Sequence, residues 1–426
     1  MIFRGAVSKI LVGTLIGQGT VLLVSPILSR LYTPADFGAF AMVTAVCAVL
    51  GSVATFSWER AVVLPREDAD ARALVKLGLL TMTVVTLLIT LVAYFARRPL
   101  AELSGVVILE SYWWVIPVSL FAMSLNALVS AWVVRRQDYS GLAVRNASQG
   151  IAQALWSVGI GMLSATPLGL ITSLAVGRTA GLFGLGIRRR RGGVRSDAAT
   201  EIAPMSAVLW RYKRFPLVNT WSSAINSIGL QLPALLLVAL YGALEAGLFA
   251  LTMRVLAAPV GMIVDAVSKH FESTFAQRLR TGQPGLRRMV LVLARNQALL
   301  GIVPALVVVI TAPWLFVLIF GAQWGGSGVY AQVVVVAYLA QFIVVPVSRG
   351  LVLLEHQAQQ FAWDVGRAVG AAGAIVVAYV LHLEMIWALS AWTAVQLLSY
   401  AAMFLLVVRA ATARDRVTDA SGGDDD

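Results

Sequence analysis

The chain has 426 residues, 59% hydrophobic and only 13% charged, with a mean hydropathy of +0.82; soluble domains sit near half apolar and a quarter charged. A core of that size in water would need far more charged surface than 33 Lys and Arg with 21 Asp and Glu supply, so the apolar excess faces lipid. The net charge of +12 would suggest nucleic acid in a soluble chain, whereas in a membrane protein basic residues gather on cytoplasmic loops; a nucleic-acid domain, disorder and fibrous repeats are excluded together.

A helix needs about 20 mostly apolar residues to cross the hydrocarbon layer. Twelve runs qualify: 6–28, 37–57, 73–95, 113–134, 144–163 and 168–187, then 216–240, 247–269, 289–310, 329–348, 363–382 and 385–408. They are apolar throughout rather than at every second residue, which argues for helices over barrel strands. The first run follows Arg4 and Lys9 as a signal peptide would, but it is too long and has no small-residue cleavage site before Ser29, so it reads as a retained helix. Residues 313–320 are too few to cross and read as an interfacial or re-entrant piece before a 321–328 loop. The expected fold is an all-α polytopic membrane protein of about twelve transmembrane helices in two six-helix lobes.

Orientation follows from the basic residues. With the N-terminus inside, 28 of the 33 Lys and Arg fall on cytoplasmic segments, three on outer loops (Arg30, Arg97, Arg98), and two, Arg178 and Arg254, within spans. Dropping one helix would exchange sides for every later loop, so a split this lopsided supports twelve spans with both termini cytoplasmic. The longest basic stretch, with Arg188 to Arg191, follows helix six. It divides the chain into a lobe at 1–187, an interlobe loop at 188–215, a second lobe at 216–408 and a cytoplasmic tail at 409–426.

An internal echo supports that division. Leu31-Tyr32, Asp36, Gly38, Phe40 and Ala41 recur 209 residues later as Leu240-Tyr241, Glu245, Gly247, Phe249 and Ala250, each time in the outer loop after a lobe's first helix. A duplicated six-helix unit keeps its orientation, because six is even, and the halves are then related about the membrane normal. Two-lobe carriers of this kind hold their substrate near the midplane between lobes and alternate access by rocking.

Polar groups inside spans are costly and mark candidate sites. Arg254 lies about five residues into helix eight, where a lipid-facing charge would cost about 2.5–3.5 kcal/mol on insertion scales; the alternative is that it snorkels to the headgroups. Asp265, eleven residues on, returns to nearly the same face about 16 Å away, so the two can line one cavity without pairing. Glu59 and Arg60 end helix two as either an interfacial pair or substrate contacts, Lys9 is an anchor or a cavity floor, and Arg178 is mid-helix six, tied to another helix or lining a cavity. Helix seven carries a stripe of Asn219, Ser222, Ser223 and Asn226. Helix one bears Thr14 and Gln18, which the offset places on Ser223 and Ser227, and helix five has Asn146, Gln149 and Gln153. Single residues of this type are often interhelical glue; three stripes together favour a hydrated interior.

Several signals fail. Cys47 is a lone cysteine, which excludes intrachain disulfide, thiolate-zinc and C-x-x-C chemistry. The glycines at 181, 184 and 186 follow no strand, no Walker sequence occurs, and His270, His356 and His382 lack metal-ligand spacing. No catalytic constellation is expected, no cofactor, and no nucleic acid partner.

The residues Arg30-Leu31-Tyr32-Thr33-Pro34-Ala35-Asp36-Phe37-Gly38, followed by Trp58-Glu59-Arg60-Ala61-Val62-Val63-Leu64-Pro65, resemble the N-terminal signature of bacterial polysaccharide-biosynthesis flippases. These are the Wzx-type O-antigen flippases of the multidrug/oligosaccharidyl-lipid/polysaccharide (MOP) exporter superfamily. The resemblance covers the chain in length and helix count and is specific over about the first 65 residues. It implies a MATE-like fold in the bacterial inner membrane, with two lobes alternating around a cationic cavity. It also implies a polyprenyl-diphosphate-linked oligosaccharide moved from the cytoplasmic to the outer leaflet, membrane lipids and polysaccharide polymerase machinery as partners, and Arg60 as the matching cation. The candidate substrate contacts are then Arg254, Arg60, Lys9, Arg178, Gln18, Asn219, Ser223 and Asn226. Asp265 or Glu59 would serve a coupling ion, H+ or Na+.

The first rival, an ion-coupled multidrug (MATE-type) antiporter of the same superfamily, should carry buried carboxylates, whereas the two most deeply placed charges are arginines. A major-facilitator carrier should show a basic motif after helix two, where this chain reads Leu64-Pro65-Arg66-Glu67-Asp68. A membrane glycosyltransferase should have a large, charged outer loop, which is lacking.

Overall fold

The computed structural model describes residues 2–104, 106, 108–164, 166–191 and 203–422. The middle of the expected interlobe loop, 192–202, and the end of the expected tail, 423–426, lie outside the described residues.

Among the described residues the longer elements are all helices. They are α1 (Ile2–Leu23), α2 (Ser25–Leu31), α3 (Pro34–Ala54), α4 (Trp58–Ala61), α5 (Asp68–Ser104), α6 (Ile108–Ser111), α7 (Val115–Arg135) and α8 (Tyr139–Leu163). After them come α9 (Leu168–Arg191), α10 (Met205–Tyr212), α11 (Thr220–Arg280), α12 (Leu286–Phe320), α13 (Gly325–Leu353), α14 (Gln357–Val380) and α15 (Met385–Gly422). Ten helical segments are long and apolar enough to cross a membrane. Two observations relate that number to the twelve sequence runs. The 61 residues of α11 are two rods that meet at Gly242, whose φ of 83° breaks the helical path. The 25 residues of α8 reach about 37 Å, enough to span, but include Arg145, Asn146, Gln149 and Gln153, which lower its apolarity.

One expectation is corrected. Residues 313–320 are neither re-entrant nor a separate piece: they are the last turns of α12, a single helix despite Pro304 and Pro313. Its 35 residues span about 52 Å, well beyond a 30 Å hydrocarbon layer. The following loop is also shorter than 321–328, because Gly321 (φ 105°) ends α12 and α13 begins at Gly325.

The chain forms two compact units, Met1–Gly247 and Leu248–Asp426. In the first, α8 packs on both α1 and α9, and α7 on α3, α5 and α9. The α1–α8 crossing is a small-residue contact: a Cβ at Gly13, Gly17 or Gly150 would strike the backbone of Ala143, Asn146 or Gly17 respectively, so side-chain-free positions let the axes close up. At the other end of α7, Arg135 donates to Asp68 Oδ1 from Nε (3.0 Å) and Nη2 (2.8 Å), and from Nη1 to the carbonyls of Pro65 (2.7 Å) and Val62 (3.3 Å). Beside it Trp58, Leu74, Leu77 and Val208 form a buried cluster that seats α10 against α5.

The second unit is built on Phe271 and Phe275 of α11, packed with Leu286, Val290, Val347, Leu351, Tyr400, Met403 and Val407. The long α15 runs on until Asp415 reaches the start of α12, where its carboxylate accepts from the backbone N–H groups of Gly285 (3.1 Å), Leu286 (2.9 Å) and Arg287 (2.9 Å). Three otherwise orphaned donors of a helix N-terminus are satisfied by one distant side chain.

The familiar loop is a helix start. Thr33 and Asp36 form a capping box at α3, with Pro34 in its first turn. Tyr32, 2% exposed, donates its hydroxyl to Ser157 O at 2.7 Å. Burial, with Asp36 adding, pushes that phenol up to about 12, so it remains a donor. Gly38 lies where a Cβ would meet the backbone of Ala243, and Gly247 where a Cβ would meet the backbone of Pro34. Under the 209-residue offset, 34 maps onto 243 and 38 onto 247, so the two copies of the motif touch reciprocally within the first unit.

Candidate functional site

The first unit carries a continuous polar chain across four helices. Asn146 (α8) donates to Thr14 Oγ1 (α1) at 2.9 Å. Its Oδ1 accepts from Arg145 Nε (3.1 Å) and Nη2 (2.6 Å). Arg145 Nη1 donates to Ser130 Oγ (α7), Ser130 donates to Asn126 O, and the Asn126 amide donates to Arg178 O (α9) at 3.2 Å. Arg145 and Arg178 are both half-buried, and their charges repel. The pair sits against glycine: a Cβ at Gly181, one turn from Arg178, would come 3.2 Å from Arg145 Cγ. Neither arginine has a carboxylate partner among the described residues. Such a pair attracts anions, because fixed guanidinium donors can replace water around phosphate or carboxylate oxygens.

Sequence reasoning missed Arg145 and Asn126. With the apolar run beginning at 144, Arg145 falls among the 28 basic residues assigned to cytoplasmic segments, whereas α8 begins at Tyr139 with Asp138 as N-cap, its side chain accepting from Gly141 N at 2.9 Å. The signal was there: an Asp just before a helical pattern marks its start, which puts Arg145 more than a turn inside. Asn126 and Ser130, four apart in a strongly apolar run, were equally visible.

The expected site residues are spread more widely. Lys9 and Gln18 are exposed on α1. Arg60 is exposed on α4, with its Nε 4.0 Å from Glu59 Oε1, while Glu59 accepts from Thr55 Oγ1 at 2.5 Å. On the helix-seven stripe Asn219 and Ser223 are half-buried, and Ser222 and Asn226 exposed. The groups that bind across helices lie on the adjoining face: Thr220 donates to Ser57 Oγ (3.3 Å) and Ser227 to Ala48 O (3.0 Å). Of the three stripes, the structure links only Thr14 and Asn146 directly.

In the second unit Arg254 is half-buried and deeper than expected. It lies twelve residues past the Gly242 bend, about 18 Å along the axis. Its neighbours are anchored, Thr252 donating to Ser327 O at 2.9 Å and Met253 Sδ accepting from Tyr338 at 3.2 Å. Asp265 is exposed. A further arginine, Arg367 of α14, is half-buried over the Trp363 ring, 5.0 Å from its centroid. Arginines 145, 178, 254 and 367 are thus half-buried well inside spanning helices, whereas the carboxylates Asp265 and Asp364, also inside them, are exposed. Among the described residues no group of three His, Cys, Asp or Glu could hold a metal ion.

A family model described as polysaccharide biosynthesis protein matches residues 27–329. The chain belongs to that family. It is a multi-pass membrane protein of a family related to polysaccharide biosynthesis. No curated protein matches its sequence. Solved structures share the fold at low identity. One is an inward-facing multidrug resistance MATE family transporter of the MOP superfamily, 13% identical with a TM-score of 0.73, covering 96% of this chain and 99% of that one. The lipid II flippase MurJ in an inward closed conformation is 10% identical with a TM-score of 0.70, covering 95% and 89%. A MOP superfamily transporter from Pyrococcus furiosus, described as having a binding pocket of reverse polarity that suggests a different function, is 14% identical with a TM-score of 0.60, covering 96% of each chain. The family's fold is accordingly the MATE- and MurJ-like one of the MOP superfamily.

Proposed function

We propose that the chain is a flippase that carries a polyprenyl-diphosphate-linked oligosaccharide from the cytoplasmic to the outer leaflet of a bacterial inner membrane, for cell-surface polysaccharide assembly. The observation that carries this reading is a set of four half-buried arginines within spanning helices, where the carboxylates Asp265 and Asp364 are exposed. A diphosphate must be dehydrated to cross, and guanidinium groups replace its water while the lipid tail stays in the bilayer. Transport of this kind works by alternating access of two lobes around a cationic cavity.

In the second unit Arg254 is the headgroup cation. In the first, Lys9 and Arg60 receive the headgroup, Arg178 contributes positive potential, and Gln18, Asn219, Ser223 and Asn226 offer hydrogen bonds to sugar hydroxyls. Asp265 or Glu59 couples transport to H+ or Na+. The lopsided distribution of the remaining basic residues supports cytoplasmic termini, with lobes at 1–187 and 216–408 and the polymerase machinery downstream. A cation-coupled drug antiporter is disfavoured, since its cationic substrate would meet like charge.

The test is complementation of a deletion strain, following lipid-linked oligosaccharide that accumulates facing the cytoplasm. Wild-type chain should clear it; Arg254→Ala should not, at equal membrane abundance. Export by Arg254→Ala at the wild-type rate would end the assignment of Arg254.

A further inference from the structure

We propose that the second unit binds an anionic phospholipid of the bilayer along the outer faces of α12 and α15, as a resident lipid that is not itself carried across. The two helices bear one pattern, written in opposite chain directions. On α12, Arg288 and Arg295 stand seven residues apart, Leu299 follows four residues on, and Leu306 seven after that. On α15, counted backwards, Arg416 and Arg409 stand seven apart, Leu405 comes four residues earlier, and Leu398 seven before that. At about 100° per residue each set keeps to a single line along its helix. All four arginines are exposed, and all four leucines are more than half exposed.

Packing brings the two lines into register. Asp415 of α15 accepts from the N–H groups of Gly285, Leu286 and Arg287 at the start of α12. Farther along, Leu286 and Val290 share a core with Met403, Val407 and Ala411, so the helices run antiparallel. With Asp415 level with Leu286, Arg295 lies nine residues inward and Arg409 six, which puts the two positions within about 5 Å of one height. Arg288 and Arg416 form an outer pair about 10 Å beyond them, and the leucines begin about 6 Å deeper. Val347 and Leu351 of α13 lie in the same core, and on α12 and α15 the Arg and Leu lines are on the side opposite the residues that face it. Charge there is uncompensated: α12 contains no Asp or Glu, Asp415 is engaged by backbone N–H groups, and among the described residues none of the four arginines has an ion-pair or hydrogen-bond partner.

Two cationic levels followed by two apolar ones match a phospholipid, which presents phosphate oxygens to guanidinium donors and then acyl chains in the same order. An acidic polypeptide would match only the arginines. The bound lipid bridges α12 and α15 beside the Asp415 contact, so it stabilises the unit whether or not anything is being transported, and the claim stands apart from the flippase reading.

The experiment uses the full chain purified in a neutral detergent and titrated with phosphatidylglycerol or, in parallel, phosphatidylcholine, while thermal unfolding is followed. Linkage predicts a saturable rise in Tm of about 2–4 °C with phosphatidylglycerol and none with phosphatidylcholine. Arg295→Gln combined with Arg409→Gln should flatten the titration, the two Lys replacements should keep most of it, and Arg349→Gln, at an exposed arginine of α13, should keep all of it. Native mass spectrometry should find phosphatidylglycerol retained by the wild-type chain and lost from the double Gln variant. If that variant fails to fold, Arg288→Gln and Arg416→Gln, at the outer ends of the lines, should each lower the retained fraction. Equal responses to the two phospholipids, or an undiminished rise in the double Gln variant, would overturn the proposal. So would a response to an acidic peptide or to a polyprenyl diphosphate with none to phosphatidylglycerol. Loss of export in Arg254→Ala bears only on transport.

Discussion

Replacing Gly38 by Ala tests the reciprocal contact between the two copies of the loop motif. An added Cβ would overlap the carbonyl oxygen, carbonyl carbon and Cα of Ala243, all backbone, so no flexible side chain can swing away and the segments must part by about an ångström in a close-packed region. Overpacking of this kind costs about 1–3 kcal/mol. The helix-propensity gain of Ala over Gly, about 0.8–1.0 kcal/mol, offsets part of it, leaving a net loss of about 0–2 kcal/mol. Gly247→Ala meets the backbone of Pro34 and Gly38 and should lose a similar amount. Both substitutions push the same two segments apart, so the double variant should lose less than the sum, with a coupling of at least about 0.5 kcal/mol. Gly373→Ala in α14, where nothing lies within 4 Å, is the control and should gain up to about 1 kcal/mol. The assay is unfolding of the detergent-purified protein, read as stability differences within one detergent. A Gly38→Ala protein as stable as Gly373→Ala, or strict additivity of the pair, would refute the reasoning.

Three further outcomes follow from the packing. Arg135→Ala should destabilise the first unit by about 2 kcal/mol, because the carbonyls of Val62 and Pro65 lose their donor while the Asp68 pair, half-exposed, adds little; Arg135→Lys should recover less than half of that in the same unfolding measurement. Asp415→Ala should cost about 1–2 kcal/mol by uncovering three N–H groups of α12, and amide exchange at residues 285–287 should quicken while that of α13 does not. Tyr32→Phe should lose about 0.5–1.5 kcal/mol with its hydrogen bond to Ser157 O, a change visible as a lower Tm with export unaltered.

The helices were legible because lipid imposes a length and an apolarity that no other element type meets. Charge position adds an expectation of sidedness, since basic residues gather on cytoplasmic segments. Local rules fail at the end of α12: the apolar run stops at 310 and sets 313–320 apart, yet one helix runs through Pro304 and Pro313, since in lipid neighbouring groups re-satisfy the freed carbonyls. The candidate site was half legible. Arg178 and Arg254 stand out as lone charges in apolar text, and Arg145 did not, because its depth depends on where α8 starts. Facing direction was harder still: the stripe of Asn219, Ser222, Ser223 and Asn226 is correctly periodic, but the partners that fix which face turns inward, Ser57 and Ala48, lie more than 160 residues away in sequence.

The touching motifs carry a consequence for descent. Position 38 leans on 243 and position 247 leans on 34, so each copy offers its counterpart the surface it receives, the isologous pattern of two identical subunits around a dyad. The contact ties mutation near residue 38 to mutation some 200 residues later: bulk gained at either glycine must be absorbed by the residue opposite, so these four positions should drift in pairs across relatives.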